Sequence, residues 1–309
     1  MKFQTAALVN GAAVFFSVFV AATLHSEEAP EPVTVVFYNL KNYLAMERRV
    51  DGEVVEDAPK PEAEVRPLVE GIVSTAPDVL AVCEIGDRSL LADLQKRLGE
   101  AGVDLPHTEL VTAASGYNRN LAVLSRYPLA ARNSRDDYSY SVADTVLPFQ
   151  RGVLDVTIAV NPAYRLRCIG LHLKSKREAS EADQALMRLN EARLARQHVD
   201  RVLEEEPEAN LLVVGDLNAL RMEPPVRTLQ GSFGQPDYLA SLTLEDRYGF
   251  RWTHHWAFAD AYSRFDFALY SRGLSPEIER GRSRIHHWPD WDKASDHRPL
   301  VVRITPEER

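Results

Sequence analysis

Five apolar runs in this 309-residue chain each stop on, or carry, one polar residue of a type that does chemistry. They are Asn39 in VTVVFYNL, Glu84 in DVLAVCEIGD, His172 in YRLRCIGLHLKSK, Asp216 in LLVVGDLN and Asp266 in RFDFALYS. Any single case has a plain explanation, because a strand must leave its core somewhere and Asp, Asn and Gly are common where it turns. Their recurrence points instead to one polar site assembled from strand ends.

The spacing suggests what that site does. If the strand in LLVVGDLN persists, alternation puts Asp216 and Asn218 on one side and Leu217 on the other, while Gly215 lets the backbone pack closely. An Asp beside an Asn suits hydrolysis: the carboxylate orients or deprotonates water, and the amide donates to a phosphate oxygen. HLKSK obeys the same period and would align His172, Lys174 and Lys176, although a lysine-rich edge strand protected from aggregation reads the same way. ASDHRPLVV adds Ser295, Asp296 and His297 before another apolar run. A carboxylate such as Asp266 that fixes an imidazole in one tautomer is the usual support of a histidine acid or base.

The intervening sequence supplies the elements that must position these residues. VTVVFYNL, DVLAVCEIGD, FDFALYS and PLVVRI are dense in β-branched and aromatic residues and read as buried strands. VRPLVEGIVSTAP and LLADLQKRLGEAG have helical spacing and stop at proline and glycine. RGVLDVTIAV and YRLRCIGLHLKSK read as strands paired about an Asn161-Pro162 turn, and LAVLSRYPLAA as a hairpin pivoting at Arg126 to Pro128. A long helix begins at a Ser180-x-x-Asp183 cap and places Ala185, Leu186, Leu189, Ala192, Val199, Val202 and Leu203 near one face. The acidic insertion at 47–62 is expected to be a solvated loop rather than a lid, and 133–149 a polar, aromatic loop. With no internal repeat, these elements imply one mixed α/β domain.

At 45% hydrophobic and 26% charged residues, the composition excludes disordered, fibrous and polytopic classes. The N-terminus stands apart. Lys2 precedes AALVNGAAVFFSVFVAA, an apolar stretch of signal-peptide length with cleavage expected after Ala22 or Ser26. An uncleaved anchor is the alternative; the shortness of the run and Asn10 within it count against that. We therefore expect a signal peptide over 1–26, a single domain over 27–309, a secreted or periplasmic location, and no stable membrane insertion after signal removal. Lys2 is the only Lys, Arg, Asp or Glu in that segment, so cleavage takes the formal net charge from −9 to −10. Such a chain does not steer nucleic acid over long range, which leaves only a local basic groove for that purpose.

Cys83 and Cys168 each lie inside an apolar run and read as buried thiols rather than a disulfide framework. Trp252, Trp256, Trp288 and Trp291 read as loop anchors rather than base-stacking platforms, because no basic residues interleave Trp288 and Trp291. Arg119 and Arg151 are candidates to line a phosphate path, whereas Arg126 reads as surface charge.

Taken in order, YNLKN, CEIGD, GLHLKSK, VVGDLN, RFDFALYS and ASDHRPLVV resemble the endonuclease/exonuclease/phosphatase superfamily over residues 33–304. The resemblance implies a four-layered α/β sandwich, two packed mixed β-sheets flanked by helices. It implies a metal-dependent phosphoester hydrolase, foremost a phosphodiesterase or nuclease in which water attacks phosphorus directly. A phosphatase or sphingomyelinase-like phosphodiesterase is the alternative on the same core, and an inactive binding protein of this fold is the alternative from another class. Glu84 would be the principal metal ligand, with Asn39 beside it and Asp296 close by; the ion would be Mg²⁺, or Mn²⁺ or Ca²⁺ in its place. Asp216 would position or activate water and Asn218 would hold the scissile phosphate. His297, oriented by Asp266, would donate to a phosphoryl oxygen, with His172 as the second imidazole. Lys174, Arg151 and Asn42 would contact the substrate phosphate. The expected partner is a phosphate-ester substrate, nucleic acid included, bound by a monomer. One departure stands out: where deoxyribonuclease-like members support the first histidine with a glutamate near NRNLAVLS, this chain has Asn118, Arg119 and Asn120. None of Glu84, Asp216, Asp266 and His297 is missing, which argues against the binding-protein alternative.

Overall fold

The computed structural model describes residues 1–2, 30–114 and 116–308. The signal segment expected over 1–26 lies outside the described residues apart from its first two. Among the described residues, no helix is long and apolar enough to cross a membrane.

Two six-stranded mixed sheets make up the centre. The first runs, in spatial order, β17 (Arg284–Ile285), β18 (Leu300–Ile304), β1 (Val33–Tyr43), β4 (Val79–Ile85), β6 (Asn120–Ser125) and β5 (His107–Val111). The second runs β13 (Ala240–Ser241), β16 (Asp266–Tyr270), β12 (Leu211–Asp216), β11 (Arg165–His172), β10 (Leu154–Ala159) and β7 (Leu129–Arg132). Each has one parallel pair at its centre, β1 with β4 and β11 with β12, among antiparallel neighbours. Among the described residues, three separate hairpins lie outside the sheets: β2 (Met46–Val50) with β3 (Glu53–Ala58), β8 (Ser139–Val142) with β9 (Thr145–Pro148), and β14 (His254–Trp256) with β15 (Ala261–Ser263).

The central strands are largely apolar because both of their faces are covered. Val35 and Phe37 of β1 and Ala81 of β4 meet Val156, Leu166, Leu212 and Val214 between the sheets. Val36, Tyr38, Leu80 and Val82 point the other way, against α1 (Glu62–Ser74) and α2 (Arg88–Glu100) through Leu68, Ile72, Leu91 and Leu94. The outer face of the second sheet packs on α3 (Gln184–Glu205) and α4 (Pro224–Gln230) through Ala192, Val199, Val226 and Leu229. The short α5 (Trp291–Ala294) closes the end of the first helical layer. This is the four-layered sandwich, and each fully buried Leu or Val in it contributes about 1.5–3 kcal/mol relative to exposure.

Several local expectations change. Residues 46–58 form a hairpin instead of a loop: Asp51 (φ 51°) and Gly52 (φ 90°) make a two-residue turn that pairs Val50 with Glu53. Asp-Gly is a strong signal for such a turn. Residues 139–148 close likewise over Ala143 (φ 50°) and Asp144. The turn at Arg126 to Pro128 joins no hairpin, because β6 belongs to the first sheet and β7 to the second. It carries the chain across the core, and Arg126 pairs with Asp78 at 2.8 Å on the surface. The cap of α3 is Asp183 rather than Ser180; its carboxylate accepts from the Leu186 N–H at 2.8 Å, leaving Ala185 and Leu186 exposed and Met187 on the buried face. Both cysteines are buried and free. Trp288 is the anchor expected, edge-on to Tyr38, but Trp256 is exposed.

Candidate active site

The two parallel pairs bring their C-terminal ends to the same place. In the second sheet the ladder sets His172 opposite Asp216 and Asp216 opposite Asp266, so three site residues stand in one row on adjacent strands. Gly215 permits this closeness: a Cβ there would meet the Leu171 carbonyl oxygen at 2.4 Å. The first sheet contributes Asn39 and, one residue past the Asn39–Cys83 pair, Glu84. The Asn39 amide crosses between the sheets, donating to Asp216 Oδ2 at 3.0 Å and to Glu84 Oε1 at 3.4 Å.

His297 enters from the turn before β18, with its N–H bonded to Ser295 Oγ, which also donates to the Asn39 carbonyl. Its Nδ1 lies 2.7 Å from Asp266 Oδ2, and its Nε2 faces Asp216 Oδ2 at 3.7 Å. Burial opposes charge on this imidazole, but Asp266 and Asp216 outweigh it and push it up to about 10. His172 goes the other way: burial, then Arg151, His297 and Arg119, hold it well below the usual histidine range. Its Nε2 lies 3.7 Å from Asp216 and 3.9 Å from Glu84. Burial raises Asp216 to about 7; His297 opposes that shift, while Asp266 and Glu84 add to it. The site thus sets one imidazole pushed up and one pushed down among three acidic side chains.

Unusual backbone clusters here too. Lys41 (φ 47°), Asn42 (φ 58°), Glu84 (φ 61°) and Asn218 (φ 48°) all occupy the left-handed region. Such residues persist only where their surroundings over-determine them. Between Asn39 and Tyr43 the pairing of β1 with β4 slips, and the bulge turns two N–H groups inward. Lys41 N–H donates to Asn39 Oδ1 at 3.0 Å and Asn42 N–H to Glu84 Oε2 at 2.9 Å. The Asn42 side chain in turn accepts from Arg119 Nε at 2.8 Å.

Not every residue sits where strand alternation puts it. β12 ends at Asp216, so Asn218 is placed by a left-handed turn in which its N–H donates to Asp216 Oδ1 and its Nδ2 to the Leu173 carbonyl. β11 ends at His172; the Lys174 ammonium turns to the Arg177 carbonyl at 2.8 Å, and Lys176 pairs with Glu223 at 2.9 Å. Arg151 is buried near His172, its Nη1 bonded to Gln150 Oε1 at 2.8 Å and its Nε without a partner among the described residues. Asp296 is partly exposed, with His254 Nε2 at 4.0 Å. The departure at 118–120 has a visible consequence: Asn120 bonds backbone groups at Ala113 and Gly86, and His172 Nδ1 finds no partner among the described residues.

Glu84 and its surroundings fit a divalent cation. The carboxylate is held at both oxygens by neutral donors, Asn39 Nδ2 and Asn42 N–H, with Arg119 at 4.0 Å, and oxygen is the ligand a hard cation takes. Asn39 shows its nitrogen rather than its oxygen to Glu84, so acting as a carbonyl ligand would require its amide to turn from Lys41. Asp216, Asp266 and His297 also offer atoms within 4.8 Å of one another. His297 Nδ1 is engaged by Asp266 at 2.7 Å, so that trio also fits an acid–base group.

Sequence reading missed two residues that support the site. Thr253, fully buried, accepts the N–H groups of Phe265 and Asp266 at its hydroxyl, and no pattern marks it. Glu191 of α3 accepts the N–H groups of Gln150, which precedes Arg151, and of Lys174, two residues past His172. Its position four residues from both Met187 and Ala195 on the buried face was an available signal.

No curated protein sequence matches this chain. Among solved structures, sphingomyelinase C from Streptomyces griseocarneus superposes with a TM-score of 0.58 at 15% identity, covering 89% of this chain and 99% of that one. The catalytic domain of human nocturnin, with bound sulfate, gives 0.61 at 16% identity over 88% and 93%. A variant of beta toxin from Staphylococcus aureus with bound magnesium ions gives 0.56 at 14% identity over 88% and 99%. At these identities the likeness establishes the fold. The family model for the endonuclease/exonuclease/phosphatase family matches residues 50–297, most of the chain and nearly all of the strand-end site, and the chain belongs to that family.

Proposed function

We propose that this protein is a secreted, divalent-metal-dependent phosphodiesterase that hydrolyses its substrate by direct attack of water on phosphorus. One arrangement carries this function: Asp216 faces, at 3.7 Å, the Nε2 of an imidazolium that Asp266 holds at 2.7 Å by its other nitrogen. Asp216 takes the proton of the attacking water as the new oxygen–phosphorus bond forms, and the ester oxygen departs with the bonding electron pair and takes a proton from solvent. His297 Nε2–H donates to a phosphoryl oxygen as charge develops on it, and Asn39 and His172 border the same space. Glu84, with Asn39 turned toward it, would hold the cation, which when bound supplies positive charge against the phosphoryl oxygens. Arg119 and Arg151 give the flank local positive charge in an otherwise acidic chain, which favours a phosphodiester such as nucleic acid. The apolar leader over residues 1–26 supports export.

The test is the mature chain with Mg²⁺, assayed in parallel on single- and double-stranded DNA, RNA, inositol phosphates and sphingomyelin, with and without EDTA. Glu84→Gln should nearly abolish turnover and the response to metal while circular dichroism stays unchanged. Wild-type turnover in EDTA, or full activity in the variant, would sink the metal dependence. The exported protein should begin near Thr23 or Glu27 by intact mass; Met1 retained in membranes would overturn secretion.

A further inference from the structure

The hairpin of β2 and β3 contributes no residue to the site, yet its two ends grip the stretch of backbone on which Glu84 depends. We infer that Arg48 and Lys60 are positioning residues for the divalent cation: they clamp the left-handed bulge of β1 so that its Asn42 N–H fixes Glu84 Oε2. The inference rests on the metal-dependent function proposed above.

The bulge at Lys41 and Asn42 leaves the β1–β4 ladder, so its carbonyls lose their strand partners, and half-buried carbonyls there take donors from elsewhere. Arg48 Nη2 donates to the Asn42 carbonyl at 2.8 Å and to the Leu44 carbonyl at 3.2 Å. Its Nε donates to Ala58 at 3.2 Å, tying β2 across to the end of β3. From the far side of the hairpin, Lys60 Nζ donates to the Lys41 carbonyl at 2.9 Å, with Glu64 as its counter-ion and only 1% of its side chain exposed. Two cations therefore hold the three carbonyls from outside while the N–H groups of the same two bulge residues hold Asn39 Oδ1 and Glu84 Oε2 inside. Bonds from charged donors are roughly twice as strong as neutral ones, which suits a backbone that must stay in a disfavoured region. The tip is dispensable in this scheme: Val50, Val54 and Val55 are exposed, and Arg49 reaches only the Gly52 carbonyl.

Mg²⁺ binding to the full-length mature protein, measured by calorimetry and by the rise of Tm with Mg²⁺ concentration, separates a clamp from a staple. Arg48→Ala and Lys60→Met should each weaken Mg²⁺ binding by about 10- to 100-fold, the range for residues that orient metal ligands. Turnover should recover toward wild type at saturating Mg²⁺, and Arg49→Ala should bind as wild type does. Should Arg48→Ala not fold, Arg48→Lys keeps the charge without the forked reach and should still lose affinity. Folded variants that bind Mg²⁺ with wild-type affinity would refute the clamp and leave the metal function standing. A wild-type protein that binds none of Mg²⁺, Mn²⁺ and Ca²⁺ would refute both.

Discussion

Two buried histidines in this molecule lie 2.7 Å from a buried aspartate, and they are built for different ends. His198 Nε2 meets Asp155, but Asp155 is also bonded by both arms of Arg167 at 2.8 and 2.6 Å, and His198 Nδ1 meets the Tyr138 hydroxyl at 2.8 Å. Burial pushes the Asp155 carboxyl up, but Arg167 and His198 outweigh it and hold it below the usual carboxylate range. Nothing there is left to react. His297 has the same first contact, but among the described residues no arginine bonds to Asp266 and its Oδ1 has no partner. The other nitrogen of His297 faces a second carboxylate from beyond hydrogen-bond reach, at 3.7 Å. A His–Asp pair can do chemistry when its carboxylate is uncompensated and its outer nitrogen is open; with both satisfied, it is a brace between β10 and α3.

The sharpest way to break this comparison is to remove each imidazole. His297→Ala should lower kcat by about 10²–10⁴, the range for a positioned acid or base, with KM changing much less. His198→Ala should leave kcat near wild type, and equal losses in steady-state kinetics would erase the distinction.

Next comes Asp266→Asn, which removes the anion from the first pair. In the proposed mechanism Asp216, raised to about 7, must be deprotonated and His297, pushed up to about 10, protonated, so wild-type activity should rise as pH passes about 7 and fall as it rises through about 10. Without the Asp266 charge the imidazole loses its proton sooner, so the alkaline limb of kcat/KM should move to lower pH. An unmoved limb would show that Asp266 does not hold the proton in place.

Smallest in its effect on catalysis is Arg167→Leu, which leaves Asp155 with His198 alone. Urea unfolding should show a loss of about 1.5–3 kcal/mol, as for a hydrogen bond to a charged group, while kcat is unchanged. A collapse of activity at preserved stability would mean that the brace is coupled to the site.

The ends of the central strands were legible in the sequence because a strand covered on both faces must be apolar throughout, so Asn39, Glu84, His172, Asp216 and Asp266 stand out against their runs. The ladder places His172, Asp216 and Asp266 in one row. Alternation failed beyond those ends, at Asn218 and Lys174, because it assumes a strand that has already stopped. The same limit made a hairpin of β6 and β7, since local pattern shows a turn but not which sheet the next strand joins.

What the sequence determined by itself was the set of chemical groups, their order, and the apolar runs that bury all but their tips, since each follows from residue type and period within one element. What only the tertiary structure decided was which of those groups are charged and which way they face. His297 carries its proton because two carboxylates from other strands surround it, and His172 loses its proton to burial beside arginines. Glu84 is aimed by a bulge whose carbonyls are held by Arg48 and Lys60 from a hairpin that reads as surface. Charge state and direction depend on Coulomb energy and on donors brought together from distant parts of the chain, and no period along the sequence encodes those.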